Sequence, residues 1–348
     1  MVKAWSKSEI MKVNLQNKFT LFLIISIVAM ILVFLIALTI GRFQITPQAL
    51  INIVTGNVND YQIEYSVLVK LRIPRTLMAL LVGIALALSG LVYQETFQNR
   101  LVSPDLLGVS SGASVGVALG LLMGLPLLAI NLTGFLFGII AMITTLFLAR
   151  IFKSRTPTIL ILAGIIISGF MSSVLSIIKT FANTETVLPN ITYWLLGSFD
   201  KTEMSDIAII APIVIIGAAI LLVIRWKINI ISLGEEEAIT KGVNYKMYRL
   251  IIIMIATLLT AASVSFAGVI GWVGLVIPHI VRIIIGRNTK YTIPLSITFG
   301  AIFMMISDVL SRSIFQAEIP LSAVTGFIGL PIFILILTFS KKEVNNRD

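Results

Sequence analysis

The sequence predicts an all-α, polytopic membrane protein with about ten transmembrane helices. Composition and spacing lead there. Of 348 residues, 57% are hydrophobic and only 12% charged, with mean hydropathy +1.03, where a soluble domain carries about 25% charged residues. The apolar residues are gathered into ten runs, each near the ~20 residues that one bilayer crossing takes. Soluble enzymes, sizeable extramembrane domains and disordered chains are excluded.

The first run, 19–40, is too long for the apolar part of a signal peptide, and no small-residue cleavage site follows it. It is expected to stay as a membrane helix. The gap 41–75 ends on Arg72-Ile73-Pro74-Arg75. Pro74 is expected to hold Ile73 out of the helical region and to open the second span, 76–93. Two arginines facing outward there suit carboxylates of an extracytoplasmic partner, or lipid headgroups reached by snorkelling.

In the third span, 107–124, glycines 108, 112, 116, 120 and 124 recur every four residues. That spacing makes a smooth groove for close helix packing. A phosphate loop would need Gly-Lys-Ser/Thr after a strand, which is missing, so this chain is not expected to bind ATP. The fourth and fifth spans, 126–149 and 158–178, are followed by a gap at 179–206 and a sixth span, 207–224.

The loop 225–249 contains Leu233-Gly-Glu-Glu-Glu-Ala-Ile-Thr-Lys-Gly-Val243. Glu235, Glu236 and Glu237 fit the first turn of a short helix, and Gly242 behind Lys241 fits its left-handed close. Spacing alone leaves open whether this helix docks a partner or is merely solvated. The seventh span is 250–268. The eighth, 270–285, is expected to be short and kinked, with Gly268, Gly271, Gly274 and Pro278 in or beside it. His279 reads as a hydrogen-bonding group of the bundle. In the ninth span, 293–314, Asp308 and Arg312 stand four apart, an intramembrane ion pair that marks function or neutralises itself structurally. Glu318 lies in the turn before Pro320 and the tenth span, 321–339.

No linker divides the chain, so 1–348 reads as one domain. With no cysteine, disulfides and thiolate sites are excluded, and the one histidine cannot build a zinc or haem site alone. The net charge of +10 is read as topology rather than nucleic-acid binding. With both termini inside, only Arg42, Lys70, Arg72, Arg75, Lys179, Lys201 and Arg312 fall outside; the other 19 of the 26 Lys and Arg fall inside, as the positive-inside rule expects.

Four stretches in order resemble the permease subunit of the iron-siderophore, haem and cobalamin uptake family of ABC transporters, the FecCD-like type II importers. They are Leu71-Arg-Ile-Pro-Arg-Thr76; Gln98-Asn99 with Pro104-Asp-Leu-Leu-Gly-Val-Ser-Ser-Gly-Ala113; Leu233-Gly-Glu-Glu-Glu-Ala238 with Gly242; and Gly271-Trp-Val-Gly-Leu-Val-Ile-Pro-His-Ile-Val-Arg282. Asp308 to Arg312 and Glu318-Ile-Pro320 complete the pattern, which spans about 20–340. The resemblance implies a type II ABC importer permease fold in a bacterial cytoplasmic membrane. It implies a homodimer, or a heterodimer with a paralogous permease. Two ATPase subunits would carry the ATP and Mg, and an extracytoplasmic substrate-binding (lipo)protein would deliver a ferric siderophore, with haem or cobalamin as alternative cargo.

By that resemblance Arg72, Arg75 and Arg312 dock the binding protein. Gly234, Glu235, Glu236, Glu237, Ala238, Lys241 and Gly242 belong to the coupling helix seated on the ATPase. Asn99, Leu101 and Thr158 form the cytoplasmic gate. The chain itself would hold no catalytic residue, cofactor or metal. Two departures stand at the gate: Arg100 replaces the proline of a common Asn-Pro-Leu, and Tyr93-Gln-Glu-Thr96 stands where other relatives have glycine. The rival readings are an ion-coupled secondary transporter, which would need more intramembrane carboxylates than Asp308, and a membrane scaffold.

Overall fold

The computed structural model describes residues 7–41, 43, 45–56, 60–152 and 157–345. Lys3, Arg42, Lys153, Arg155 and Arg347, all weighed above for topology, lie outside the described residues. The described chain is helical, with no strand: α1 Lys7–Thr39, α2 Pro47–Val54, α3 Gln62–Ser66, α4 Ile73–Thr96, α5 Val109–Leu122, α6 Leu127–Ile151, α7 Pro157–Phe181, α8 Val187–Leu195, α9 Met204–Ile231, α10 Glu235–Thr240, α11 Tyr245–Ala267, α12 Val273–Ile285, α13 Thr289–Ser313 and α14 Leu321–Asn345.

Seven apolar segments are long enough to cross a membrane: those in α1, the continuous run through α3 and α4, α6, α7, α9, α11 and α13. The apolar parts of α5, α12 and α14 are shorter. At about 1.5 Å per residue, the 14 residues of α5 fall short of a ~30 Å hydrocarbon core. Irregular backbone completes two of these passages. A 3₁₀ turn, Pro104–Leu107, precedes α5. Gly268 to Trp272, with Trp272 at φ 70°, breaks the chain between α11 and α12. Such backbone is tolerated at membrane depth where protein surrounds it.

The hub is α4. Its most apolar stretch is 83% buried, against 17% for that of the peripheral α1. Glycine makes this density possible. A Cβ on Gly83 would collide with the Gly300 carbonyl of α13, and one on Gly90 with the Gly274 backbone of α12. These are the backbone-to-backbone crossings that small residues permit. The stripe of the third span divides by role. Gly112 and Gly116 lie against the Phe137 and Thr133 carbonyls of α6, and Gly120 against Ile130. Gly108 and Gly124 instead turn the chain at φ 78° and 66°.

Two expectations are corrected. Pro74 does not hold Ile73 out of the helix: Ile73 is helical at φ −61°, ψ −54°. A π turn over Val67–Arg72 runs straight into α4, and the Ile73 amide bonds the carbonyl five residues back, at Leu68. The wider turn makes room for the proline ring, which would otherwise press on the carbonyl four residues earlier. The second membrane helix therefore begins near Gln62 rather than 76. The gaps 41–75 and 179–206 also hold structure, namely α2, α3 and α8, too short to register as spans.

Chain ends gather at two poles. At one, the ends of α1 and α13 meet the π turn and the start of α4. There the Ser198 amide also bonds the Ala267 carbonyl closing α11, and the Leu321 amide opening α14 bonds the Gly197 carbonyl. At the other, the ends of α4, α9 and α12 meet the starts of α11 and α13. We call these the arginine end and the glutamine end.

Candidate functional site

At the arginine end, Arg75 donates from Nε to Asp308 Oδ1 at 2.7 Å, and from Nη1 and Nη2 to the two Glu318 oxygens at 2.9 and 3.0 Å. Arg312 donates from Nε to Asp308 Oδ2 at 2.9 Å, and to the Ile40 and Ala37 carbonyls that finish α1. Arg72 bonds the Ile40 and Phe43 carbonyls. Thus the i,i+4 pair read from the sequence is one edge of a larger network, and Asp308, with a 1% exposed side chain, has a guanidinium on each oxygen. The turn carrying Glu318 is fixed by two bonds between Ser311 and Ile319.

The arginines do not project as the sequence reading pictured them. Arg72, Arg75 and Arg312 are 7%, 8% and 4% exposed. A carboxylate as buried as Asp308 is costly unless cations surround it, and unpaired carbonyls at a helix end draw in further donors. Three arginines against Asp308 and Glu318 leave the cluster one positive charge in excess.

At the glutamine end, α10 closes as its sequence indicates. The Val243 amide bonds the Ala238 carbonyl at 2.8 Å and the Gly242 amide the Ile239 carbonyl at 2.9 Å, with Gly242 at φ 70°. These two bonds form a Schellman motif, and buried Ala238 and Val243 give its apolar contact. Gly234, at φ 110°, admits the chain. Glu236 and Glu237 are exposed, and Ile239 is 65% exposed. That leaves an apolar side chain among acids on the outer surface of a rigidly closed helix.

The segment after α4 lies beside it. Gln98, at φ 51°, donates from Nε2 to the Ser232 carbonyl at 3.2 Å, just ahead of α10. Asn99 Oδ1 accepts from the Leu101 amide at 2.9 Å, and Leu101 is exposed. Thr158 opens α7, also exposed, with no hydrogen bond to this loop among the described residues. The departure at Tyr93–Thr96 is structural. Gln94, 2% exposed, donates to the Val102 and Gly274 carbonyls and accepts from Arg282 Nη1 at 2.7 Å, while Glu95 accepts from Arg282 Nε and Nη2. Tyr93 shares a buried bond with Thr257 at 2.7 Å. Sequence reading did not anticipate the bonds of Gln94 and Gln98; the available signal was a pair of amides flanking Glu95 at the tip of an apolar helix.

Desolvation, then the neighbouring Arg287, lowers the pKa of the loop residue Arg100, and Asp105 accepts a hydrogen bond from Ser110. His279 hydrogen-bonds the Leu275 carbonyl through Nδ1 at 2.7 Å and meets the Phe333 ring edge-on at 5.3 Å. Among the described residues no three of His, Asp and Glu converge as a metal site would require.

The geometry is that of a helical membrane bundle with two differently built poles, and comparison with known proteins agrees. Residues 28–339 match the model of the FecCD transport family. The chain is 35% identical over 314 residues to the molybdate import system permease protein MolB of Haemophilus influenzae, covering 89% of this chain and 93% of that one. It is 37% identical over 276 residues to the Fe(3+)-citrate import system permease protein YfmD of Bacillus subtilis, covering 78% and 81%. A solved structure described as an inward-facing conformation of a metal-chelate type ABC transporter superposes with TM-score 0.82 at 34% identity, over 91% of this chain and 98% of that one.

Proposed function

The chain belongs to the FecCD transport family as a permease subunit of an ABC importer, and from that premise we propose that it carries a ferric siderophore across a bacterial cytoplasmic membrane by alternating access. A permease of this family is not itself an enzyme; it works with ATPase and substrate-binding partners and as a permease dimer. The observation that carries the ferric reading is the 37% identity to a ferric-citrate permease.

In this reading the arginine end faces outward. Its excess positive charge attracts acidic groups of the binding protein, and Arg72, Arg75 and Arg312 act through that field, since they are buried. The glutamine end and both termini lie in the cytoplasm. There α10, with Gly234 before it and Gly242 behind it, seats in the ATPase with Ile239 and its exposed glutamates outermost. When the ATPases close, α10 moves and pulls through Gln98 on the Asn99–Leu101 loop, which with Thr158 bounds the inner mouth. Whether the second permease is a copy or a paralogue does not alter these roles.

A second cargo is favoured by one observation. The molybdate permease aligns over more of its length than the citrate one. Uptake of radiolabelled iron from a panel of ferric siderophores and haem, and of radiolabelled molybdate, in cells with and without the gene separates them. Loss of one ferric chelate alone is the expected result; loss of molybdate uptake alone would replace the iron reading. Arg72→Gln keeps a donor for the Ile40 and Phe43 carbonyls but removes the charge. It is expected to weaken binding-protein affinity while ATPase assembly persists.

A further inference from the structure

We infer that a groove between α6 and α11 at the glutamine end is a binding site for one anionic phospholipid of the adjoining leaflet. The groove encloses about 650 Å³. Its wall toward the bundle middle is apolar, with Ile143, Phe147 and Leu250 between 50% and 63% exposed. Among the described residues its rim carries Arg150, Lys246 and Arg249 together with one acid, Glu235.

Three features point to a headgroup with its acyl chains. Arg150 closes α6 where a cation suits the helix dipole, but Lys246 stands in the first turn of α11, where the dipole disfavours a cation. An anion between them relieves that conflict. The Arg249 guanidinium is placed in advance over two rings, 5.8 Å from the centroid of Tyr245 and 6.0 Å from that of Phe97. Finally, the apolar wall continues directly from the basic rim. A free phosphate would leave that wall wet, and a zwitterionic lipid would leave the charges of Arg150 and Lys246 in excess of that of Glu235. Basic pockets between membrane helices on the cytoplasmic side select anionic headgroups on these grounds.

The site rests on the orientation proposed above, so its test reads lipid and ATPase separately. The assembled transporter, delipidated in detergent, is titrated with dioleoyl phosphatidylglycerol, dioleoyl phosphatidylcholine or inorganic phosphate, and bound lipid is counted by native mass spectrometry. Phosphatidylglycerol is expected to be retained about tenfold or more over phosphatidylcholine, undisplaced by phosphate. The Arg150→Gln/Lys246→Gln pair should lose that preference and Lys246→Arg keep it. Equal retention of the two lipids, displacement by phosphate, or an unchanged preference in the double variant overturns the site. Loss of the ATPase from the intact transporter would instead count against the orientation and leave the lipid comparison readable on the permease dimer.

Discussion

The two poles of this bundle contain similar residue types and use them in opposite ways. At the arginine end the charges of the network are turned inward: Asp308 binds two arginines, Arg75 two acids, and three helices are tied by groups at most a tenth exposed apart from Glu318. At the glutamine end the acids of α10 face outward beside an exposed isoleucine. Among the described residues one exposed hydrogen bond, from Gln98 to Ser232, links that helix to the loop after α4, while the buried Arg282–Glu95 pair ties α12 to α4 beside it. Buried multiple bonds resist relative movement, whereas a single exposed bond transmits motion and can break. The first pole is built to hold its shape, and the second is the one to which the proposed coupling role of α10 belongs.

The largest effect should come from breaking the rigid pole. Asp308→Asn leaves Arg75 and Arg312 without their shared anion and is expected to cost about 3–5 kcal/mol, seen as a lower thermal midpoint of the detergent-purified chain. A midpoint like the parent's would mean the network is not what fixes this end. At the glutamine end, Gln98→Ala should cost only about 1 kcal/mol yet lower substrate moved per ATP hydrolysed in proteoliposomes. Unchanged stoichiometry would remove Gln98 from the linkage. The smallest stability effect belongs to Ile239→Glu, within about 0.5 kcal/mol because the side chain is already exposed. Its effect should appear as loss of the ATPase on co-purification. A destabilised chain that still holds its ATPase would invert the contrast between the poles.

How much of this was legible in the sequence follows from sequence distance. The closure of α10 was visible because Glu235, Lys241 and Gly242 lie within eight residues and each has a local reason for its place. The ten apolar runs were visible for the same reason. The inward turn of the arginines was not, because Arg75 finds its acids 233 and 243 residues away, and nothing local announces them. The division of the glycine stripe was half visible: periodicity marks a groove, but only the fold shows that Gly108 and Gly124 serve the turns. Pro74 misled because the rule applied to it presumes α geometry upstream.

That π turn has a further consequence, in the currency of insertion and deletion. A wide turn holds one residue more than an α turn covering the same path. Removing one residue from 67–72 would therefore leave the chain below Ile73 in register, still meeting Gly300 and Gly274. The stub before residue 67, which carries Glu64, would keep its orientation as well, whereas the same deletion inside a regular α-helix would swing it around the axis by about 100°. Chains differing in length by a single residue here would therefore present the same stub on an unaltered helical core.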